Sequence, residues 1–160
     1  MVAIEKEPQQ SGPEVTPSSL DEATHAELRV LYGDCSNAIR FAKDRQWKLV
    51  GATLLVFTAI MALTEFLSMD PLMARGLVVV SFLVGGAAIC VLIIYQIWQH
   101  TELGRLRSIG ALFSDIFTKI RGPAPEREAK IHGYLVLFMM IVGVLLGNAV
   151  TVLFLSRMYL

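Results

Sequence analysis

Two pairs of side chains stand at spacings that could hold a metal ion on a helix. Glu22 and His25 are three residues apart, and Glu128 and His132 are four residues apart. Helical Glu/His pairs build di-iron sites, but such sites need several carboxylates in register across four helices. The sequence supplies too few ligands for that arrangement. We therefore expect no metal and no cofactor.

Other catalytic patterns are missing from the sequence as well. It contains no phosphate loop, no GxSxG and no HExxH, and its net formal charge of +0 gives no reason to expect a nucleic-acid partner. Cys35 lies in a polar segment and Cys90 in an apolar run, so we expect no disulfide between them. Because no nucleophile, base and metal centre stand in mutual register, we expect a protein that is not an enzyme.

Two polar residues in or beside apolar runs could contact a ligand or line a pore. Asn148 lies inside the third run and must find a partner or a wet surface. An interhelical hydrogen bond is the plainer expectation, and ligand contact is the alternative. Glu65 is the ionisable group nearest to any run. We expect it at the membrane boundary, where water solvates it, and an oligomeric pore mouth is the alternative.

Three apolar runs dominate the elements that must position these residues. The chain of 160 residues is 54% hydrophobic and only 18% charged, with a mean hydropathy of +0.57, whereas soluble domains are about 25% charged. The second and third runs, 76–99 and 133–156, each hold 24 residues without an acidic or basic side chain. The first span, 48–69, is less regular because Glu65 interrupts it. About 20 apolar residues cross a bilayer, so the sequence predicts three transmembrane helices.

Amphipathic stretches flank the spans. Residues 19–47 begin with Ser19 as a predicted helix cap, with Glu22 completing a capping box, and carry apolar residues at helical spacing. Residues 100–122 carry a second apolar stripe. The predicted fold is therefore an all-α integral membrane protein with three transmembrane helices and two cytoplasmic amphipathic extensions. We favour a stalk for the first extension. For the second, a stalk and a helix lying flat on the membrane both remain open.

The remaining segments are short. Residues 1–18 contain three prolines and few large apolar groups, and this composition predicts a disordered tail. Residues 123–132 form a turn and a helix start, and 157–160 form an external tail.

Basic and aromatic residues set the predicted orientation. Of the 14 Lys and Arg residues, 12 lie at or before Lys48, where the first span begins, or between the second and third spans. The positive-inside rule then places the N-terminus in the cytoplasm and the C-terminus outside. A bacterial inner membrane is expected because no organelle presequence is present. The expected anchors at the inner interface are Arg40, Lys43, Arg45, Trp47, Lys48, Tyr95, Trp98 and Tyr134.

Small residues mark candidate packing faces within the second and third spans. They let helix backbones approach closely when they recur four residues apart. Packing among the three spans and pairing with another subunit both explain this pattern. The candidates are Ser81, Gly85, Gly86, Cys90, Gly143 and Gly147, together with Asn148.

The function expected from these features is that of a non-enzymatic membrane subunit or adaptor. Such a protein would pack with other membrane helices, or with itself, and present a cytoplasmic helical surface to a partner. Its surroundings would be the lipid bilayer, and no nucleic acid is expected. The alternative is a subunit of a homo-oligomeric channel or small transporter. Its polar lining would come from Thr53, Thr58, Ser81 and Asn148.

Overall fold

Three α-helices account for nearly all of the residues that the computed structural model describes, which are 20–67, 70–113 and 126–159. Helix α1 spans Glu22–Phe66, α2 spans Pro71–Gly110 and α3 spans Glu126–Tyr159. These ranges contain no β-strand. The prediction of an all-helical protein is confirmed, and each helix includes a stretch long and apolar enough to cross a membrane.

The lengths of α1 and α2 exceed what a bilayer requires. With 45 and 40 residues, they measure roughly 68 and 60 Å at 1.5 Å per residue. The hydrocarbon core of a bilayer is about 30 Å thick. Residues 22–66 of the segments predicted as 19–47 and 48–69 form one continuous helix, and 76–99 likewise continues into the described start of 100–122. We call residues 22–47 of α1 and 100–110 of α2 the stalk.

The helix ends follow from local sequence. Asp21 is the N-cap of α1, and its carboxylate accepts a hydrogen bond from the backbone N–H of Thr24 at 3.1 Å. Ser19, the cap predicted from sequence, lies outside the described residues. Asp70 precedes α2, whose first residue is Pro71, a position where the missing N–H of proline costs nothing.

Several predicted segments fall wholly or partly outside the described residues. The tail 1–18 lies there entirely. The second extension, 100–122, is described only as far as Phe113, since α2 ends at Gly110 and a short turn follows. The predicted turn 123–132 is described from Glu126 onward.

The three helices pack in alternating directions. Cys35 of α1 packs with Leu106 and Ile109 of α2 at the stalk, while further along α1 the ring of Phe57 lies beside Gly85. α1 and α2 are therefore antiparallel along their shared length. α3 packs against both, and the apolar core within the spans is formed by Val50, Phe57, Ala88, Leu92, Met140 and Val144.

Buried residues on α2 recur at alternating steps of three and four residues through both span and stalk. This spacing is the heptad pattern of a coiled coil, in which one stripe of each helix faces its partner. We call the contact between these stripes of α1 and α2 the seam. The buried positions of this repeat on α2 include Ser81, Gly85, Ala88, Leu92, Glu102, Leu106 and Ile109.

Candidate functional site

Asn148 joins α3 to α2 within the spans. Its side chain is 6% exposed, and its Nδ2 donates a hydrogen bond to the backbone carbonyl of Ser81 at 2.8 Å. Gly85 lies next to this contact, because a Cβ built on Gly85 would stand 3.0 Å from the same Nδ2. The structure thus brings together Ser81, Gly85 and Asn148, three of the residues singled out in the sequence. Their arrangement is that of a helix-packing contact.

The two glycines of the α3 motif meet different surroundings. A Cβ on Gly147 would lie 2.7 Å from Cδ2 of Leu54 and 3.0 Å from Cδ2 of Phe57, both on α1. A Cβ on Gly143 would meet nothing within 4 Å. Of the two glycines, Gly147 is therefore the one that lets α3 approach α1 closely.

Gly86 and Cys90 lie on the outer surface of α2, away from the seam. Both are exposed, and a Cβ on Gly86 would meet nothing within 4 Å. Gly86 borders a groove of about 530 Å³ between α2 and α3. Asn148 borders this groove, and most of the other lining residues are apolar. They include Phe82, Ile89, Leu145, Val152 and Leu153.

The described Ser and Thr hydroxyls in the spans donate to carbonyls of their own helices. Thr53 donates to the carbonyl of Leu49 at 2.8 Å, and Thr151 donates to that of Gly147 at 2.9 Å. Thr58 and Ser81 do the same with carbonyls one turn earlier. Within the described ranges, no buried side-chain nitrogen or oxygen lacks a hydrogen-bond partner. Such local bonds let polar groups sit in an apolar environment.

A pair of glutamines crosses the seam where the spans meet the stalk. Gln46, 3% exposed, donates through Nε2 to the carbonyl of Leu92 at 3.2 Å. Gln99 donates through its own Nε2 to Oε1 of Gln46 at 2.8 Å. Since a buried amide is costly unless it is hydrogen-bonded, these bonds favour one register of α1 on α2.

A buried carboxylate lies one turn further along the stalk. Glu102 accepts a hydrogen bond from Nη1 of Arg105 at 2.9 Å and borders Cys35 across the seam. Burial raises the pKa of the Cys35 thiol above its ordinary value, and its hydrogen bond with Glu102 raises it further. The thiol at this position is therefore mostly protonated at neutral pH and a weak nucleophile.

Of the two metal-ligand pairs considered from sequence, Glu22 and His25 lie wholly among the described side chains. His25 packs its ring edge-on against Phe113 at 5.2 Å between centroids. The side chain of Glu128 lies outside the described part of the chain. Among the side chains that are described, no group of three or more His, Cys, Asp or Glu residues is placed to hold a metal ion.

Sequence reasoning did not single out Gln46, Gln99 and Glu102. The signal was present in their spacing: Gln46 follows Ala42 by four residues, and Glu102 precedes Leu106 by four. Extending the apolar stripes through these polar positions would have placed them on the seam.

The residues proposed as interface anchors lie on the surface around the level of Gln46. Arg40, Lys43 and Tyr134 are exposed, and Trp47 is 62% exposed. Lys48 forms an exposed ion pair with Asp44 at 2.7 Å. Arg45, Tyr95 and Trp98 form a separate group with Phe41 on one side of the α1/α2 pair.

The outer surface of the stalk carries apolar side chains that do not contribute to the seam. Val30 is 66% exposed and Leu31 is 49% exposed. The seam at this level is formed instead by Leu28, Tyr32 and Cys35. Val30 and Leu31 therefore face outward, while α2 packs against other residues of α1 at this level.

Comparison of the sequence with protein-family models and curated proteins, and of the structure with solved structures, returned no significant match.

Proposed function

We propose that this protein is a non-enzymatic membrane subunit or adaptor that holds a partner protein through its stalk. The observation that carries this proposal is the continuity of α1 and α2 from the spans into a packed stalk. A packed pair of helices loses little conformational entropy on binding, which favours a docking role. Val30 and Leu31 supply exposed apolar side chains on that support.

The alternative of a homo-oligomeric channel receives less support from the geometry. Of the four residues expected to line a pore, Thr53, Ser81 and Asn148 are buried within a single copy. Thr58 remains exposed. Asn148 already uses its side-chain donor within the chain.

Replacing the exposed stalk residues tests the adaptor role. The double variant Val30→Ser, Leu31→Ser removes apolar surface without touching the seam, so the helices should fold as before. If these residues anchor a partner, its recovery with the chain purified in mild detergent should fall about ten-fold or more. Quantitative mass spectrometry of the purified complex measures that recovery, and circular dichroism checks the helical content.

A matched control changes neighbouring polar residues of the same surface. The double variant Glu27→Gln, Arg29→Gln alters two exposed side chains and should retain the partner. An unmodified chain that purifies alone as a monomer would contradict the adaptor role. So would an unchanged partner yield from the Val30→Ser, Leu31→Ser variant.

We further propose that the stalk lies in the cytoplasm of a bacterium whose inner membrane holds the spans. The basic residues near the stalk support this orientation through the positive-inside rule. Alkaline phosphatase, which is active only outside the cytoplasm, should then be active when fused after Leu160. An inactive C-terminal fusion together with an active N-terminal fusion would reverse the orientation.

A further inference from the structure

Arg45 belongs to a cluster of aromatic rings that α1 and α2 build together. Its guanidinium carbon lies 4.8 Å from the centroid of the Phe41 ring. That ring packs at 76° to Trp98 of α2, with 6.4 Å between centroids, and Trp98 in turn lies 6.3 Å from Tyr95. A cation held over a ring keeps its N–H donors directed outward while its position is restricted. We call these four residues the Arg45 cluster.

The Arg45 cluster lies in the basic segment of α1, just before the uncharged segment of the first span. Between residues 40 and 48 there are four basic side chains and one acidic side chain, Asp44. Lys48 follows Arg45 by three residues and so projects on a similar side of the helix. Asp44 pairs with Lys48, and Arg45 is left as the cation that the rings support. The local excess of positive charge attracts an anion.

The surface next to the Arg45 cluster identifies the kind of anion. From Leu49 the chain carries no acidic or basic residue before Glu65. On the same side as Arg45 and Trp98, helical spacing places Val56 and Ile94, which are 41% and 63% exposed. A ligand at this site therefore meets a cation at one end and an apolar surface beneath it. A phospholipid has this combination of groups, whereas a soluble phosphate does not.

We propose that the Arg45 cluster binds the phosphate headgroup of an anionic phospholipid, whose acyl chains lie along Val56 and Ile94. Arg45 donates hydrogen bonds to the phosphate, and the net positive charge of residues 40–48 adds attraction around it. The aromatic rings sit at headgroup depth, where amphipathic rings are favoured. The site is independent of any protein partner on the stalk.

Native mass spectrometry of the full chain in mild detergent tests this site. The probes are phosphatidylglycerol and phosphatidylcholine with identical acyl chains. The unmodified chain should retain phosphatidylglycerol in preference to phosphatidylcholine. Arg45→Gln should lower the retained phosphatidylglycerol about five-fold, which is the effect of about 1 kcal/mol per basic residue near an anionic lipid.

Arg40→Gln is the matched control, because it removes the same charge from α1 at a nearby level. Arg40 projects away from Phe41 and Trp98 by helical spacing, so its loss should change lipid retention less than two-fold, in line with weak screened attraction. Phe41→Leu keeps every charge but removes the ring under Arg45. It should lower retention about two- to five-fold.

Four outcomes would overturn the proposal. Equal losses from Arg45→Gln and Arg40→Gln would indicate diffuse attraction to the basic region. Equal retention of the two lipids by the unmodified chain would show no headgroup preference. Displacement of the lipid by excess inorganic phosphate would indicate a general anion site. Full retention in both Arg45→Gln and Phe41→Leu would likewise exclude the cluster as the binding site.

Discussion

Gly143 and Gly147 illustrate how differently two residues of one motif can act. Phe57, which a Cβ on Gly147 would approach, is only 1% exposed and is held on all sides. Leu54, the other neighbour, is 37% exposed and can turn aside. The ring of Phe57 therefore limits what position 147 accepts.

Gly147→Ala should destabilise the three-helix core, while Gly143→Ala serves as its control on the same helix. Both changes gain the same helix propensity, so their difference reports the contact with Phe57. We expect Gly147→Ala to be less stable than Gly143→Ala by about 1–3 kcal/mol. Reversible unfolding in mixed micelles with increasing dodecyl sulfate measures this difference. Equal stability would mean that α1 and α3 do not approach closely at this point.

Asp21 controls the start of the stalk through a single hydrogen-bonded cap. Hydrogen bonds from the side chain and then the backbone of Thr24 lower the pKa of the Asp21 carboxyl. A lowered pKa means that the folded helix prefers the charged carboxylate. The contribution of the cap is fully present above the unfolded-state pKa and is lost as pH falls through the folded-state value.

Acidification should therefore loosen the first turn of α1. Between about pH 5 and pH 2, the protection factor of the Thr24 amide should fall once the intrinsic exchange rate is corrected for. Asp21→Asn keeps a good cap that does not titrate, and its protection should stay constant over the same range. Hydrogen exchange followed by NMR measures both. A parallel loss in the Asp21→Asn variant would show that another group controls this turn.

The α1/α2 seam combines apolar layers with polar ones. Leu106 and Ile109 pack against Cys35 in the stalk, whereas Gln46 and Gln99 meet by a hydrogen bond near the spans. Apolar layers stabilise many registers of two helices, but a paired amide layer is satisfied in few of them. The polar layer therefore contributes to the choice of register.

A double-mutant cycle isolates the Gln46–Gln99 bond. Gln46→Leu and Gln99→Leu, alone and together, should show a coupling energy of about 0.5–1.5 kcal/mol in micelle unfolding. Gln96 lies about one turn before Gln99 on α2, but its side chain is beside Gly133 of α3. The cycle of Gln46→Leu with Gln96→Leu should show coupling within about 0.5 kcal/mol of zero. Equal coupling in the two cycles would contradict the described pairing.

The elements could be read from sequence to differing degrees. Uncharged runs of 24 residues predict α2 and α3 because few structures other than a membrane helix bury such a length. For α1 a stalk was favoured, but the change from charged to apolar residues at Leu49 does not itself show whether the helix continues. A cluster of basic residues marks where a chain leaves the membrane, but the helix need not end at that point. Only the 3–4 repeat running through both parts records that continuity.

The contacts of single residues were harder to predict. Asn148 was expected to bond another helix, and it bonds the carbonyl of Ser81. Its partner could not be chosen from sequence, because any backbone carbonyl or hydroxyl of a neighbouring helix satisfies an amide. For the same reason the inward position of Gly85 and the outward position of Gly86 depend on how α2 is rotated.

At the scale of the whole molecule, two helices continue beyond the spans and remain packed. Residues 100–110 of α2 are too few to form a stable isolated helix in water, since helices shorter than about 12–15 residues are marginal there. In the stalk, Leu28, Tyr32 and Cys35 of α1 pack with Leu106 and Ile109 of α2, and Phe113 just beyond α2 adds to the same apolar cluster. A rigid stalk joined to a three-helix membrane core is the arrangement on which the adaptor role depends.

Disulfide crosslinking in native membranes tests this arrangement most directly. In a Cys90→Ala background, Cys35 is paired with Leu106→Cys on the seam or with Ser108→Cys, whose position on α2 is exposed. A disulfide needs Cα atoms within about 7 Å. Because burial raises the pKa of Cys35, oxidation is carried out at mildly alkaline pH, where more thiolate forms. A packed stalk predicts an intramolecular disulfide with Leu106→Cys and little with Ser108→Cys. Equal crosslinking at both positions, or none at Leu106→Cys, would contradict the packed stalk.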